Sequence, residues 1–151
     1  VMHIYNQCPE CHTTMINESV GTALHVAIDL NEEGVVEELV KAIIKGGKRE
    51  RERMKALEMG KDNGDTPLHV AASRGFAKIC KFIIGTNNER MYLASRKNKH
   101  GETPLFLAAI NWKKQAFTYL SHISNNSAPL EDLVRHNGDT ILHCAIRREY
   151  F

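Results

Sequence analysis

Apolar residues along the chain recur in two short phrases, and both carry helical spacing. The first phrase runs Thr22-Ala-Leu-His25-Val-Ala-Ile28, then Thr66-Pro-Leu-His69-Val-Ala-Ala72, Thr103-Pro-Leu-Phe106-Leu-Ala-Ala109 and Thr140-Ile-Leu-His143-Cys-Ala-Ile146. The second follows the first three at constant offset: Val35-Val36-x-x-Leu39-Val40, Ile79-Cys80-x-x-Ile83-Ile84, and Ala116-Phe117-x-x-Leu120. Leading threonines lie 44, 37 and 37 residues apart. Two patterns in fixed register, with variable spacers, describe one supersecondary unit used several times.

Local chemistry predicts what each phrase builds. A threonine offers an N-cap oxygen to the free N–H groups of a first helical turn. Pro67 and Pro104 suit the next position, where a missing N–H costs nothing. Gly64, Gly101 and Gly138 precede an acidic residue and the threonine, and predict tight turns at positive φ. Gly75 and Asn31 occupy the place where the short helix ends, and both tolerate the left-handed conformation found there. The second phrase is the stripe of a longer helix. Each unit is therefore turn, short helix, loop, longer helix.

This pattern resembles the ankyrin repeat: Thr66-Pro-Leu-His69 carries that family's motif intact, and the other three copies are close variants. The resemblance implies an all-α solenoid of stacked helix-turn-helix units with short turn or hairpin connections, from a family whose repeat is about 33 residues. It also implies that His25, His69 and His143 hydrogen-bond between adjacent turns, interrupted where Phe106 takes the histidine's place. More narrowly, residues 98–109 and 138–146 resemble the plant membrane-anchored ankyrin proteins, which carry a PGG-type transmembrane domain and are linked to defence, cell death and stress signalling.

Units are expected at residues 20–62, 63–99 and 100–136, with half units at 1–19 and 137–151. Val1-Met-His-Ile-Tyr5 has the spacing of a second helix without its first, and the last unit stops at Tyr150-Phe151. The chain thus reads as an internal fragment whose uncapped ends can stack on copies of themselves.

Composition narrows the class without naming a partner. A hydrophobic share of 42% with 25% charged residues is globular rather than disordered. A net charge of +2 does not itself imply nucleic acid or membrane, and no run is long and apolar enough to span a bilayer. Four cysteines fit a reducing compartment rather than a disulfide framework. Residues 45–61 form the one charged insertion. There Lys45, Lys48, Arg49, Arg51, Arg53, Lys55 and Lys61 outnumber Glu50, Glu52 and Glu58. Gly46-Gly47 should end the preceding helix, and 49–59 suits an extra solvated helix or an exposed, partly mobile loop.

Motifs that would carry chemistry are few. Cys8-Pro-Glu-Cys11-His12 has the form of a haem-attachment motif, but two-helix repeats enclose no porphyrin. A zinc site would need two more converging ligands; Cys80 and Cys144 align with core hydrophobes. A redox-active C-x-x-C pair at Cys8 and Cys11 is a further reading, not the preferred one. Repeated histidines one packing distance apart are too far apart for shared ligation. No nucleophile–base pair, phosphate-cradling loop or paired carboxylates mark an enzyme, and no cofactor or small-molecule substrate is expected.

The expected function is a non-enzymatic protein–protein interaction module, the cytosolic part of a larger signalling protein with a membrane anchor outside this chain. A soluble regulator or inhibitor of an enzyme or transcription factor is the alternative. Binding of anionic lipid or nucleic acid through 45–61 is a third. By the resemblance, partners meet the turn tips Asn63, Asp65, His100, Glu102, Asn137 and Asp139, flanked by Lys61, Lys99 and His136. They also meet the short-helix ends Arg74, Asn111 and Trp112. Tryptophan and arginine are favoured hot-spot residues, but Trp112 stands where Gly75 and Asn31 stand in other units and is not expected to reach positive φ.

Overall fold

Each leading threonine begins a helix, as the local chemistry requires. A computed structural model describes residues 8–46, 49–124 and 133–147. After a 3-10 turn at Pro9–Thr13, β1 (Met15–Asn17) pairs antiparallel with β2 (Gly21–Thr22). There follow α1 (Ala23–Asp29), α2 (Glu33–Gly46), α3 (Glu50–Glu58), α4 (Pro67–Arg74) and α5 (Ala77–Ile84). A 3-10 turn at Met91–Ser95 leads to α6 (Pro104–Ile110), α7 (Lys114–Ser124) and α8 (Ile141–Arg147).

The helices stand in two rows. Short helices α1, α4, α6 and α8 pack side by side, and the longer α2, α5 and α7 pack side by side behind them. One continuous core fills the space between rows, from Leu24 and Ile28 through Leu68, Ile79 and Ile83 to Leu105 and Leu120. The second phrase delivers this burial: Ile79, Cys80, Ile83 and Ile84 are all fully buried, although its first member in the first unit, Val35, faces solvent. Cys80 and Cys144 are buried core residues, as their alignment implied.

Tight turns stack along one edge. Within each, the residue four before the acid gives its N–H to that acid's carbonyl: Lys61 to Asp65, Asn98 to Glu102, and Arg135 to Asp139, each 3.0 Å. Between turns, Lys99 N–H reaches Asn63 O at 3.0 Å and His136 N–H reaches His100 O at 3.1 Å. Asp62 N–H reaches Glu18 O at 2.7 Å. This close approach explains the glycines. Gly101 holds φ 79°, and a Cβ there would lie 2.5 Å from the His136 backbone nitrogen.

Several expectations need correction. Residues 49–59 do carry the extra helix, α3; Glu50, Arg51, Glu52 and Lys55 face solvent as expected, but Ala56 and Leu57 are buried, so it is docked on the core rather than wholly solvated. Arg53 turns inward to donate to Ile44 O at 2.9 Å, at the end of α2. Arg90 does the same for α5, donating to Ile83 O at 2.7 Å and Phe82 O at 3.2 Å. Arg53 and Arg90 each lie 13 positions ahead of a repeat threonine, Thr66 and Thr103. The Ala56-Leu57 and Leu93-Ala94 pairs share that register, and all four side chains are buried. The charged segment 45–61 thus ends in the register of the next connector, with seven more residues than the later units carry there. Trp112 does adopt φ 58°, beside Asn31 at 55° and Gly75 at 84°. The turn-tip acids Glu102 and Asp139 are buried rather than presented. The apolar stretch Val1–Tyr5, Tyr150-Phe151 and Lys48 lie outside the described residues.

Gly101 and Gly138 give an internal contrast. Both have positive φ, but a Cβ on Gly138 meets nothing within 4 Å. Gly101→Ala is expected to cost roughly 2–4 kcal/mol and Gly138→Ala roughly 1 kcal/mol, compared by urea unfolding; equal losses would mean that turn-to-turn contact does not set the requirement.

Candidate partner-binding groove

The short helices are aligned by one repeated device. In the first unit Thr22 N–H donates to His25 Nδ1 at 3.1 Å, closing the helix start. The opposite ring nitrogen, Nε2, lies 3.0 Å from Asp65 O in the next turn. His69 repeats this: Thr66 N–H donates to Nδ1 at 3.2 Å, and Nε2 is 3.0 Å from Glu102 O. With Nδ1 accepting and a carbonyl facing Nε2, the ring is neutral and carries its proton on Nε2. Burial pushes the His25 imidazole down to about 4, helped by the nearby Lys61 charge; burial likewise lowers His69. The cross-turn role that the resemblance implied is therefore present at both positions. His143 keeps the inner half, accepting from Thr140 N–H at 3.2 Å, but its ring is exposed.

Phe106 interrupts the series as expected. It is fully buried with Leu107, Ile110 and Cys144, and the Arg135 guanidinium sits 5.6 Å from its ring centre. The same arginine forms an ion pair with Glu102. No imidazole bond crosses that junction, and the Arg135–Glu102 pair and the His136–His100 backbone bond join the two turns.

Side chains at the turns form a second lateral ladder. Asn98 Nδ2 donates to Asp65 Oδ1 at 2.8 Å and to Glu102 Oε2 at 2.9 Å, tying neighbouring acids together. One register earlier, the first turn has Gly21 where the others have an acid. Lys61 therefore finds Asp29 instead, at 3.1 Å, and Arg74 meets the same carboxylate at 3.0 Å.

These ladders frame an open groove of about 690 Å³ along α4 and α6. Asn63, Asp65, Arg74, Glu102 and Asn111 all line it, so five sequence-predicted residues converge on one surface. His100, Trp112, Asn137 and Asp139 lie outside it. Asp139 is held by Asn137 Nδ2 at 2.9 Å and by Arg147, and His100 is exposed at its turn. Sequence reasoning missed Lys113 and Arg135, which also line the groove. The signal for Arg135 was its register: it stands where Lys61 and Asn98 stand, one reach from the preceding acid. Lys113 lays its stem over Gly75, where an added Cβ would meet Lys113 Cδ at 2.9 Å.

The groove is electrically asymmetric. Asp65 and the Glu102–Arg135 pair stand at the N-terminal ends of α4 and α6, and Lys113 and the Arg74–Asp29 pair at the C-terminal ends. An eight-residue helix is about 12 Å long, which separates the two charge groups. Each set also opposes the helix macrodipole beside it. Trp112 lies at the same C-terminal edge, 67% exposed. No group of three or more His, Cys, Asp or Glu side chains among the described residues could hold a metal ion.

A family model of ankyrin repeats, in three copies, matches residues 38–128, well over half of the chain. A comparison with the curated proteins gives no match.

Two outcomes follow from this geometry. The unfolded chain protonates His25 near 6.5 and the folded one only near 4, so its contribution is complete above pH 6.5 and is lost as pH falls through that window. Stability is expected to drop by on the order of 3 kcal/mol from this site between pH 7 and 4; in urea titrations His25→Gln should show the shallower fall. Trp112→Gly relieves an unfavourable backbone conformation and should raise stability by roughly 0.5–1 kcal/mol, read as a higher unfolding midpoint. Its motif, its paired helices and its match over residues 38–128 together place this chain in the ankyrin-repeat family.

Proposed function

We propose that the groove along α4 and α6 binds an extended segment of a partner protein. Ankyrin repeats are protein-interaction modules, which is the general statement the family supports. What supports this particular surface is the convergence of Asn63, Asp65, Arg74, Glu102 and Asn111 on one open groove. A bound segment would set an acidic side chain against Lys113, beside the Arg74–Asp29 pair, whose exposed arginine would have to be shared with it, and a donor against Asp65. Arg135 and Glu102 position the walls rather than contact the partner, because they already satisfy each other. Trp112, at the groove's C-terminal edge, adds an exposed aromatic contact.

The wider context is proposed from the sequence resemblance alone. A parent protein of the plant membrane-anchored kind would hold this module at the cytoplasmic face and use it in signalling. Among the described residues no helix is long and apolar enough to cross a membrane, so an anchor would lie elsewhere in the parent. Anionic binding through 45–61 is less well supported, since Arg53 faces inward and Lys61 is ion-paired to Asp29.

Affinity capture with the wild-type module and with an Arg74→Glu, Lys113→Glu version tests the groove. Partners enriched on the wild type should fall at least about tenfold on the charge-reversed form, equivalent to about 1.4 kcal/mol, with its circular dichroism unchanged. An unaltered partner set on a folded variant would remove the groove from the binding surface.

A further inference from the structure

The geometry points to Cys8 and Cys11 as a reversible dithiol–disulfide site at the edge of the solenoid. Both lie on one tight turn, in which Cys11 N–H donates to Cys8 O at 3.0 Å. A turn of this kind brings its first and fourth Cα atoms within about 7 Å, overlapping the roughly 4.4–6.8 Å that a disulfide spans. The Cys11 thiol also lies in hydrogen-bonding reach of Cys8.

Access separates this pair from the other thiols. Cys8 and Cys11 are partly exposed, whereas Cys80 and Cys144 are buried, and burial raises the Cys80 thiol to about 12. The turn is firmly placed. Thr14 and Thr13 hydroxyls donate to Glu10 O at 3.0 and 3.3 Å, and Cys11 packs against the main core. Buried His12 lies against Gly46, where a Cβ would meet its Cε1 at 3.0 Å. The turn packs against both α2 and α3.

The oxidant class is a low-molecular-weight disulfide. One thiolate attacks glutathione disulfide, forming a protein–glutathione S–S bond and releasing one glutathione thiolate. The second thiolate then attacks the protein sulfur of that bond and expels the other glutathione. The protein loses two electrons and two protons, and the two released glutathiones gain them.

The test equilibrates the folded chain with oxidised and reduced glutathione, alkylates free thiols at neutral pH without denaturant and measures mass. The oxidised wild type should take up no alkyl group and weigh about 2 Da less than the untreated reduced chain, the two thiol hydrogens, whereas the reduced chain is alkylated at Cys8 and Cys11. Cys80 and Cys144 should react only after denaturation. In Cys8→Ser or Cys11→Ser the remaining thiol should instead retain glutathione, because its resolving partner is gone. Two alkylatable thiols at 8 and 11, or a stable glutathione adduct on the wild type, would overturn the assignment.

Discussion

The bond from a buried imidazole to the backbone carbonyl of the next turn is the constraint on which the rest of the structure depends. A two-helix unit of this size cannot bury its own apolar face, so each unit needs a neighbour held in register. Burial of Leu68 or Ile79 supplies the driving force but no direction. Direction comes from His25 and His69, which start a helix with one ring nitrogen and address the next turn with the other. A neutral ring in a fully buried site can do both, whereas a charged one would set a second N–H against the Thr22 or Thr66 amide.

Where the imidazole is missing, the bonds that remain show what else joins neighbouring turns. Phe106 fills the volume but donates nothing. Arg135 then crosses the junction, with its guanidinium by the ring and in an ion pair with Glu102. The same position holds Asn98 and Lys61 in the earlier turns, and each reaches a carboxylate of the unit before it. Alignment of α4 with α6 by these bonds is what leaves a continuous groove between the charged helix ends, so the binding surface is a consequence of how the repeats are joined.

Much of this was legible in the sequence because the local chemistry is strong. A threonine N-cap, a proline at the next position and a glycine two before it leave few alternatives, and helices begin at Ala23, Pro67, Pro104 and Ile141 accordingly. The connectors were not legible in the same way. Their signal is an arginine at 53 and 90 that ends the preceding helix, and it is hidden by the charge-rich composition around Arg53. Trp112 shows tertiary position overriding local preference: the unit must turn there, and the tryptophan accepts φ 58°. The site was half legible. Residues on the turns and helix ends could be listed, but burial of Glu102, and the placing of Lys113 and Arg135 in one groove, depend on how far each side chain reaches into the adjoining unit.

The state of the His69 ring tests the central claim most directly. Nitrogen NMR of the folded module should show a neutral imidazole with its proton on Nε2, shielded from exchange, and still neutral as pH is lowered through 6.5, the ordinary histidine value. A His69 ring that titrates near 6.5, or that carries its proton on Nδ1, would contradict the account.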